Sequence, residues 1–538
     1  MFRLRILTLL MLLGGVFGSA GIAAQDSIRS LSDFEYIKNQ EAWFTSDNAA
    51  GLHTLPVKDV SIAEVYLNKS NGKFINYFES GDSYQYGGKA ESYFRMNPKV
   101  VLYGYVEYSR FVGKEMSGSA FIDPYYMPFD IVEMSDENSG KKELERYHLA
   151  GAISAEVYKG LRLGGKIDYL TGNYAKIKDL RHQNTLMDMY LTLGASYQIN
   201  PLIEIGANYF YRRNTEGMNF KTYGNTDRQY YSLISFGSFY GRSELFGDSG
   251  YTSKTSGTTP VFNQFNGGAV QLNLNLSPKV NLFNEFTYKS RDGYYGIKSS
   301  TTIQYTRHEG NLLEYNGMFS LKTKSDLHSV RLVAGLEKLD NYEKIYKRIT
   351  TSAGNTIIEY YGETQMLERK DINAGIEYTG NIGLKDNHPT WVLKAGGNFS
   401  SREQTVSVYP YYRKQTIRSF VGNVSARRSI FSGNNIYSIS LGAGYGSGSG
   451  TPNNDGLYAT PSSSQKEPES SDMHLNREYE YLTASRFGIN AGFKFDTPVS
   501  QSVNGYVGLD CSFTKAMDIK YLQGSSYTSA TIKIGCSF

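Results

Sequence analysis

The chain has 538 residues, 20% of them charged, with a formal net charge of +4, 45 Tyr, 55 Gly, 13 Pro and 2 Cys. So small a charge excludes electrostatic capture of nucleic acid, and two cysteines exclude a disulfide framework. The excess of Tyr and Gly favours half-buried strands over a helical enzyme core, while a mean hydropathy of -0.42 decides nothing, because a membrane barrel puts only alternate strand residues in lipid.

Arg3 and Arg5, the apolar stretch Ile6 to Phe17 and the small residues Gly18 to Ala24 predict a cleavable signal peptide over residues 1–24. No cysteine opens the mature chain, so no N-terminal lipid anchor is expected, and no later apolar run reaches the ~18 residues of a membrane helix. Residues 25–58 form an arm or plug ahead of the first strand. In it Leu31, Phe34, Ile37 and Trp43 are loosely helically spaced, and Asn48-Ala49-Ala50-Gly51-Leu52 follows. Trp43, Asn48, Gly51 and Leu52 are the candidate plug residues; a short periplasmic arm with one helical turn ended by Gly51 fits the same pattern.

From residue 59 to 538 period-two alternation recurs. Examples are Val101 to Ser109, Leu149 to Tyr158, Leu161 to Tyr169, Val280 to Lys289, Tyr481 to Asp496 and Val503 to Thr514, with an opening strand inside Val60 to Phe78. Short turns at Asn97-Pro98, Lys159-Gly160, Asn200-Pro201, Ser277-Pro278, Thr323 to Ser325 and Thr497-Pro498 alternate with long connections, Phe111 to Leu144, Asn214 to Phe265 and Ser447 to Arg477. That asymmetry predicts an all-β, transmembrane antiparallel barrel of about 18 strands (range roughly 14 to 20), with both termini on the periplasmic side.

Parity then sorts the faces. Phe487, Ile489, Ala491, Phe493 and Phe495 alternate with Arg486, Gly488, Asn490, Gly492 and Lys494, and only the first set suits hydrocarbon. The same rule puts Arg162, Lys166, Asp168, Glu204, Arg212, Arg331, Glu337, Lys394 and Arg402 inside, together with Glu285, Lys289, Asp371, Glu377 and Asp510. Both signs occur in similar number, which fits a lumen laced by ion pairs; a selectivity filter would draw on the arginines.

Two loops are aromatic. Phe111 to Leu144 carries Phe121, Tyr125, Tyr126 and Phe129 around Asp123-Pro124, and Asn214 to Phe265 carries Tyr223, Arg228, Tyr230, Tyr231 and Phe239. Such loops either pack into the barrel mouth as a constriction, the reading preferred here for Tyr223, Arg228, Tyr230, Tyr231 and Phe239, or present platforms for sugar rings. Gly446 to Ser471 reads by composition as a mobile, solvated loop.

No catalytic cluster is expected: the seven histidines are scattered, and His328 and Ser329, as strand neighbours, point to opposite faces. No His or Cys pair has metal-ligand spacing; the acidic stretch Asp130 to Glu137 reads as solvated loop charge rather than a calcium site. No cofactor is implied. On the last hairpin the partner of Cys511 falls near Thr528, roughly 27 Å from Cys536 at strand rise, so both thiols are expected free on the lipid face.

The final strand, Ser526 to Phe538, alternates Ile532, Ile534, Cys536 and Phe538 with Thr531, Lys533, Gly535 and Ser537. It resembles the last strand of Gram-negative outer-membrane barrels, whose terminal aromatic is read by the barrel-insertion machinery. Asn48 to Leu52 resembles the Asn-Pro-Ala-Gly-Leu element of long-chain fatty-acid transport barrels, departing at Ala49; that resemblance implies an N-terminal hatch. Asp47 to Leu52, Tyr84-Gln85-Tyr86-Gly87 and Val101-Leu102-Tyr103-Gly104 resemble uncharacterised outer-membrane barrels of Bacteroides-type bacteria, which implies fold and location and no activity. The expected function is a passive or gated channel for a small solute, with membrane lipid and the insertion machinery as partners. The alternative is a closed surface barrel whose loops bind glycans or a partner protein.

Overall fold

The computed structural model describes residues 32–223, 229–248, 250–253, 257–352, 354–500 and 502–538. The predicted signal segment, Leu31 and Arg228 lie outside them.

Strand-forming alternation runs on from Asp59, and eighteen strands, from Asp59–Gly72 to Ser526–Ser537, pair antiparallel in chain order. The last closes on the first in a register that runs from Ile62↔Ser537 to Gly72↔Tyr527. Closure leaves no unpaired edge, the condition for backbone in hydrocarbon. At the seam the terminal Phe538 exchanges both backbone hydrogen bonds with Ser61, at 2.8 and 3.1 Å.

Val65, Leu163, Ile167, Phe286, Ile489 and Ile534 are each about half exposed on the outer surface, which is the apolar girdle that alternation predicts. Cys511 is exposed, Cys536 is half-buried and both are free; their partners in the last hairpin are Ala530 and Gly505, so the expected register near Thr528 was two residues short. His328 bonds the Tyr378 hydroxyl while Ser329 turns to the Thr379 carbonyl. Among the described residues no helix is long and apolar enough to cross a membrane.

The wall is uneven. Strands beside the seam have 12 to 16 residues, whereas Thr356–Lys385 on the far side has 30, well above the ~9–11 that cross a bilayer. This lengthening consumes much of what composition assigned to loops. Met116 and Gly140 bound the first aromatic loop and Lys221 and Thr259 the second. Gly446 to Ser471 is not a mobile loop: its first half belongs to the strand Asn435–Leu457, and Glu469–Ser470 pairs with Tyr240–Gly241. The predicted strand from Tyr481 begins only at Arg486, because Asp472–Thr483 is a helix.

Three loops fold back into the outer lumen. Asp130–Glu133, Tyr231–Ser235, Tyr240–Leu245 and Glu469–Ser470 make a second, four-stranded sheet, buried around Phe121, Phe129, Phe236, Tyr251 and Tyr295. The helix Asp472–Thr483 runs along the wall where Gly448 stands; a Cβ there would meet the Thr483 backbone at 2.8 Å. The acidic stretch is part of this cap: Asp130 accepts from Ser119 and Tyr77, and Glu133 pairs with Lys176. Burial pushes the Asp130 carboxyl up to about 6 against those hydrogen bonds.

Candidate functional site

The segment ahead of the wall lies across the lumen at the end that carries Phe538 and the short turns. Asp33 caps the helix Phe34–Asn39 through the Glu35 and Tyr36 amides at 2.9 and 3.2 Å. Burial would raise its carboxyl, but Arg427, then His388 and Lys494, hold it down to about 2. Two 3-10 turns, Ala42–Thr45 and Ala49–Thr54, follow.

The plug is fitted to the wall. Trp43 is 2% exposed, packs edge-on to Phe283 at 5.2 Å and donates to Glu204 at 3.0 Å. Glu204 also meets Arg162 at 3.1 Å and His53 at 3.2 Å. The Asn48 amide donates to the Ala195 carbonyl and to Gln271, at 3.0 and 2.9 Å. Gly51 must be glycine, since a Cβ would sit 2.8 Å from that of Trp43. The wall yields likewise: Cβ atoms at Gly164 and Gly194 would stand 2.2 Å from the Ala50 nitrogen and 2.1 Å from the Asn48 oxygen. Leu52 packs at the edge of the cluster of Phe34, Ile37 and Leu55. Arg95 ties down the far end through the His53 and Leu55 carbonyls.

On the outer side, the tip Tyr125-Tyr126-Met127 of the first aromatic loop is gripped by four luminal arginines. Arg212 and Arg291 lie 5.2 and 4.6 Å from the Tyr126 ring, and Arg402 lies 4.5 Å from that of Tyr125. Arg291 also donates to the Tyr126 carbonyl at 2.6 Å and Arg369 to that of Met127 at 3.2 Å. Each arginine keeps an acid: Asp188, Glu337, Asp371 and Glu478 respectively for Arg212, Arg291, Arg369 and Arg402. Charge is thus balanced at the collar, and the guanidinium faces hold the aromatic tip.

Between plug and collar lies a cavity of about 500 Å³. Thr45 and Asp47 of the plug form its floor, and Glu285, Lys289, Arg331 and Asn373 belong to its wall. Asp47 is fixed by Lys166 at 3.3 Å and the Tyr190 hydroxyl at 3.0 Å. Arg331 donates to Asn316, which donates to Thr45, so wall and floor are coupled.

The other expected residues are placed as follows. Asp168 pairs with His148 at 2.6 Å, and Lys394 faces the lumen with no ion pair. The constriction expected at Tyr223, Arg228, Tyr230, Tyr231 and Phe239 is not built there. Tyr223 and Tyr231 are exposed by 64% and 48%, Tyr230 packs against the outer core, Phe239 is buried against Tyr77 and His474, and Arg228 lies outside the described residues. Tyr125 and Tyr126 occupy the lumen instead, because the shorter loop carries its rings at one Pro-flanked tip. Arg291 and Arg369 were missed, although each shares the parity of a residue already placed inside, Lys289 and Asp371. Among the described residues no group of three or more His, Cys, Asp or Glu is placed to hold a metal ion.

A closed barrel with an apolar outer belt, a charged interior, and a first strand that starts and a last strand that ends beside the short turns is an outer-membrane β-barrel of a Gram-negative bacterium. The chain belongs to a family of unknown function, DUF6850, whose profile matches residues 49–538. The match takes in the plug from Ala49 onward. No curated protein matches the chain. Among solved structures it is similar to the ferric preacinetobactin receptor BauA of Acinetobacter baumannii (8% identity, 89% of this chain and 80% of that one, TM-score 0.40). It is also similar to the RagAB peptide importer in a closed-closed state (8% identity, 89% and 86%, TM-score 0.40), and to the alcaligin receptor FauA of Bordetella pertussis (8%, 88% and 76%, TM-score 0.37). At those scores the likeness carries no argument about this chain. The comparisons lend no support to the fatty-acid barrel resemblance or to a restriction to Bacteroides-type bacteria.

Proposed function

We propose that this barrel is a gated channel for a small polar solute, with the N-terminal segment from Asp33 to Leu55 as its inner gate and the Tyr125–Met127 tip as its outer one. The observation that carries this reading is the 500 Å³ chamber between them, a volume typical of small-molecule sites, whose floor belongs to the plug itself. A solute there touches Thr45 and Asp47 directly. The candidate lumen residues then have two roles: Glu204, Arg162 and Lys166 seat the plug, while Arg212 and Arg402 seat the tip.

The plug holds to the wall by hydrogen bonds and ion pairs that water can replace and by the apolar contacts of Phe34, Ile37 and Trp43, whereas the wall ladder is continuous without it. Deleting Asp33–Leu55 is therefore expected to leave a folded barrel and to raise single-channel conductance in planar bilayers. Replacing Tyr125-Tyr126-Met127 by Gly-Ser-Gly in the same background is expected to raise it again. If both variants fold and conduct no better than the parent, the channel reading fails, and a closed surface barrel that binds glycans or a protein partner takes its place.

A further inference from the structure

Most luminal amides of the described residues are engaged: Asn48, Gln271, Asn316 and Gln404 each hold a neighbour. By contrast, four amides on nearby strands, Asn373, Asn398, Asn423 and Asn490, are exposed to the lumen and form no hydrogen bond. They lie on the strands Thr356–Lys385, His388–Val408, Tyr411–Ser432 and Arg486–Pro498.

Each of the four stands directly across the ladder from a glycine. The pairs are Asn373↔Gly335, Asn398↔Gly375, Asn423↔Gly396 and Asn490↔Gly442, and Asn423 also faces Gly444 on its other side. The glycines let the amides lie flat: a Cβ at Gly375 would come within 2.6 Å of the Asn398 oxygen, and one at Gly442 within 2.3 Å of the Asn490 oxygen. Asn373 to Asn490 crosses four inter-strand gaps, or roughly 19 Å at the usual strand spacing. The row begins in the chamber, which Asn373 and Asn398 line, and continues round the wall beyond it.

We propose that this shallow row of free amides is the binding track for a neutral, polyhydroxylated chain, an oligosaccharide of several units; the proposal rests on the channel reading. A primary amide offers two donors and an acceptor with two lone pairs, which matches hydroxyls that both donate and accept. Of the nearby charges, Lys289 pairs with Glu314, Lys494 with Asp496 and Lys533 with Asp510, at 2.6, 2.6 and 3.0 Å, while Arg331 and Glu285, which line the chamber without an ion pair, carry opposite signs. Lys394 and Glu377, which flank the row, carry opposite signs. A neutral ligand therefore displaces no ion pair, whereas an anionic or cationic one finds no net counter-charge.

The test is calorimetric titration of the full-length protein in detergent with maltohexaose and cellohexaose, against hexagalacturonate and hexa-alanine. At least one neutral hexasaccharide is expected to bind with an affinity insensitive to salt, and Asn398→Ala with Asn423→Ala is expected to weaken it by roughly tenfold. Asn423→Ser, which touches no packed group, serves if the double variant does not fold. Binding only of hexagalacturonate or hexa-alanine, no binding of any probe, or saccharide binding that the asparagine variants leave unchanged, each overturns the track. The plug-deletion conductance decides separately: a conducting barrel without saccharide binding removes the track alone, and saccharide binding by a barrel that never conducts removes the channel alone.

Discussion

Glu204→Gln is the sharpest perturbation of the inner gate. The Glu204 carboxylate is buried, 3% exposed, and joins the plug to the wall: it accepts from Trp43 at 3.0 Å, faces His53 at 3.2 Å and pairs with Arg162 at 3.1 Å. A carboxamide keeps the shape and one acceptor, so Trp43 retains its partner, but the charge and one charge-assisted contact to the plug are lost. Such contacts contribute about 1.5–3 kcal/mol each, and a loss near 2 kcal/mol moves the docked-to-undocked ratio about 30-fold. Asp33, Asn48 and Arg95 still hold the segment, so the variant is expected to open intermittently rather than permanently. Two readouts report this: the frequency of openings in planar bilayers, and Trp43 fluorescence in a Trp391→Phe background, which should shift to the red as the indole meets water. Adding Asn48→Ala should increase both effects. Unchanged emission together with unchanged gating would refute the assignment of Glu204 as the anchor.

Glu41 makes docking pH-dependent. Burial, opposed by Lys322 and reinforced by Glu204, raises its carboxyl from 4.5 to about 7; the docked plug favours the protonated form, so docking is strongest below pH 4.5 and weakens as pH rises through about 7. Opening frequency measured against pH should follow that curve, and Glu41→Gln should remove this part of it. Ile489→Lys near the bilayer midplane should cost roughly 2–4 kcal/mol in folding into lipid vesicles, while its neighbour Asn490→Lys should be nearly neutral; equal penalties would sink the face assignment. Losing the Glu133 partner of the fully buried Lys176 should destabilise the cap by about 3–5 kcal/mol, read as faster proteolysis between Met116 and Gly140. Intact mass of the unreduced protein should show both thiols, and a loss of two daltons would mean a different last hairpin.

The barrel itself was legible because strand periodicity is local: alternation, turn residues and the parity of Phe487 to Lys494 each need only a few adjacent residues. Eighteen strands, the lipid face and the free cysteines follow from that much. Strand ends were less legible, since wall strands rise beyond the membrane, where hydrophobic alternation no longer marks them; Asn435–Leu457 runs through Gly-Ser sequence that reads as loop.

What lies inside the wall was decided by tertiary structure alone. Tyr125 and Tyr223 are the same residue in similar loops, yet only the first meets Arg402 in the lumen, because loop length and the buried anchors Asp130 and Glu133 set where each tip lands. Gly164, Gly194 and Gly375 look like any strand glycines until a plug residue or an amide lies over them. The chamber floor at Asp47 joins residues more than a hundred positions apart, Lys166 and Tyr190 among them. Contacts of that range carry no periodic trace in sequence, so alternation gives the face on which a residue stands, and only the folded barrel gives what stands opposite.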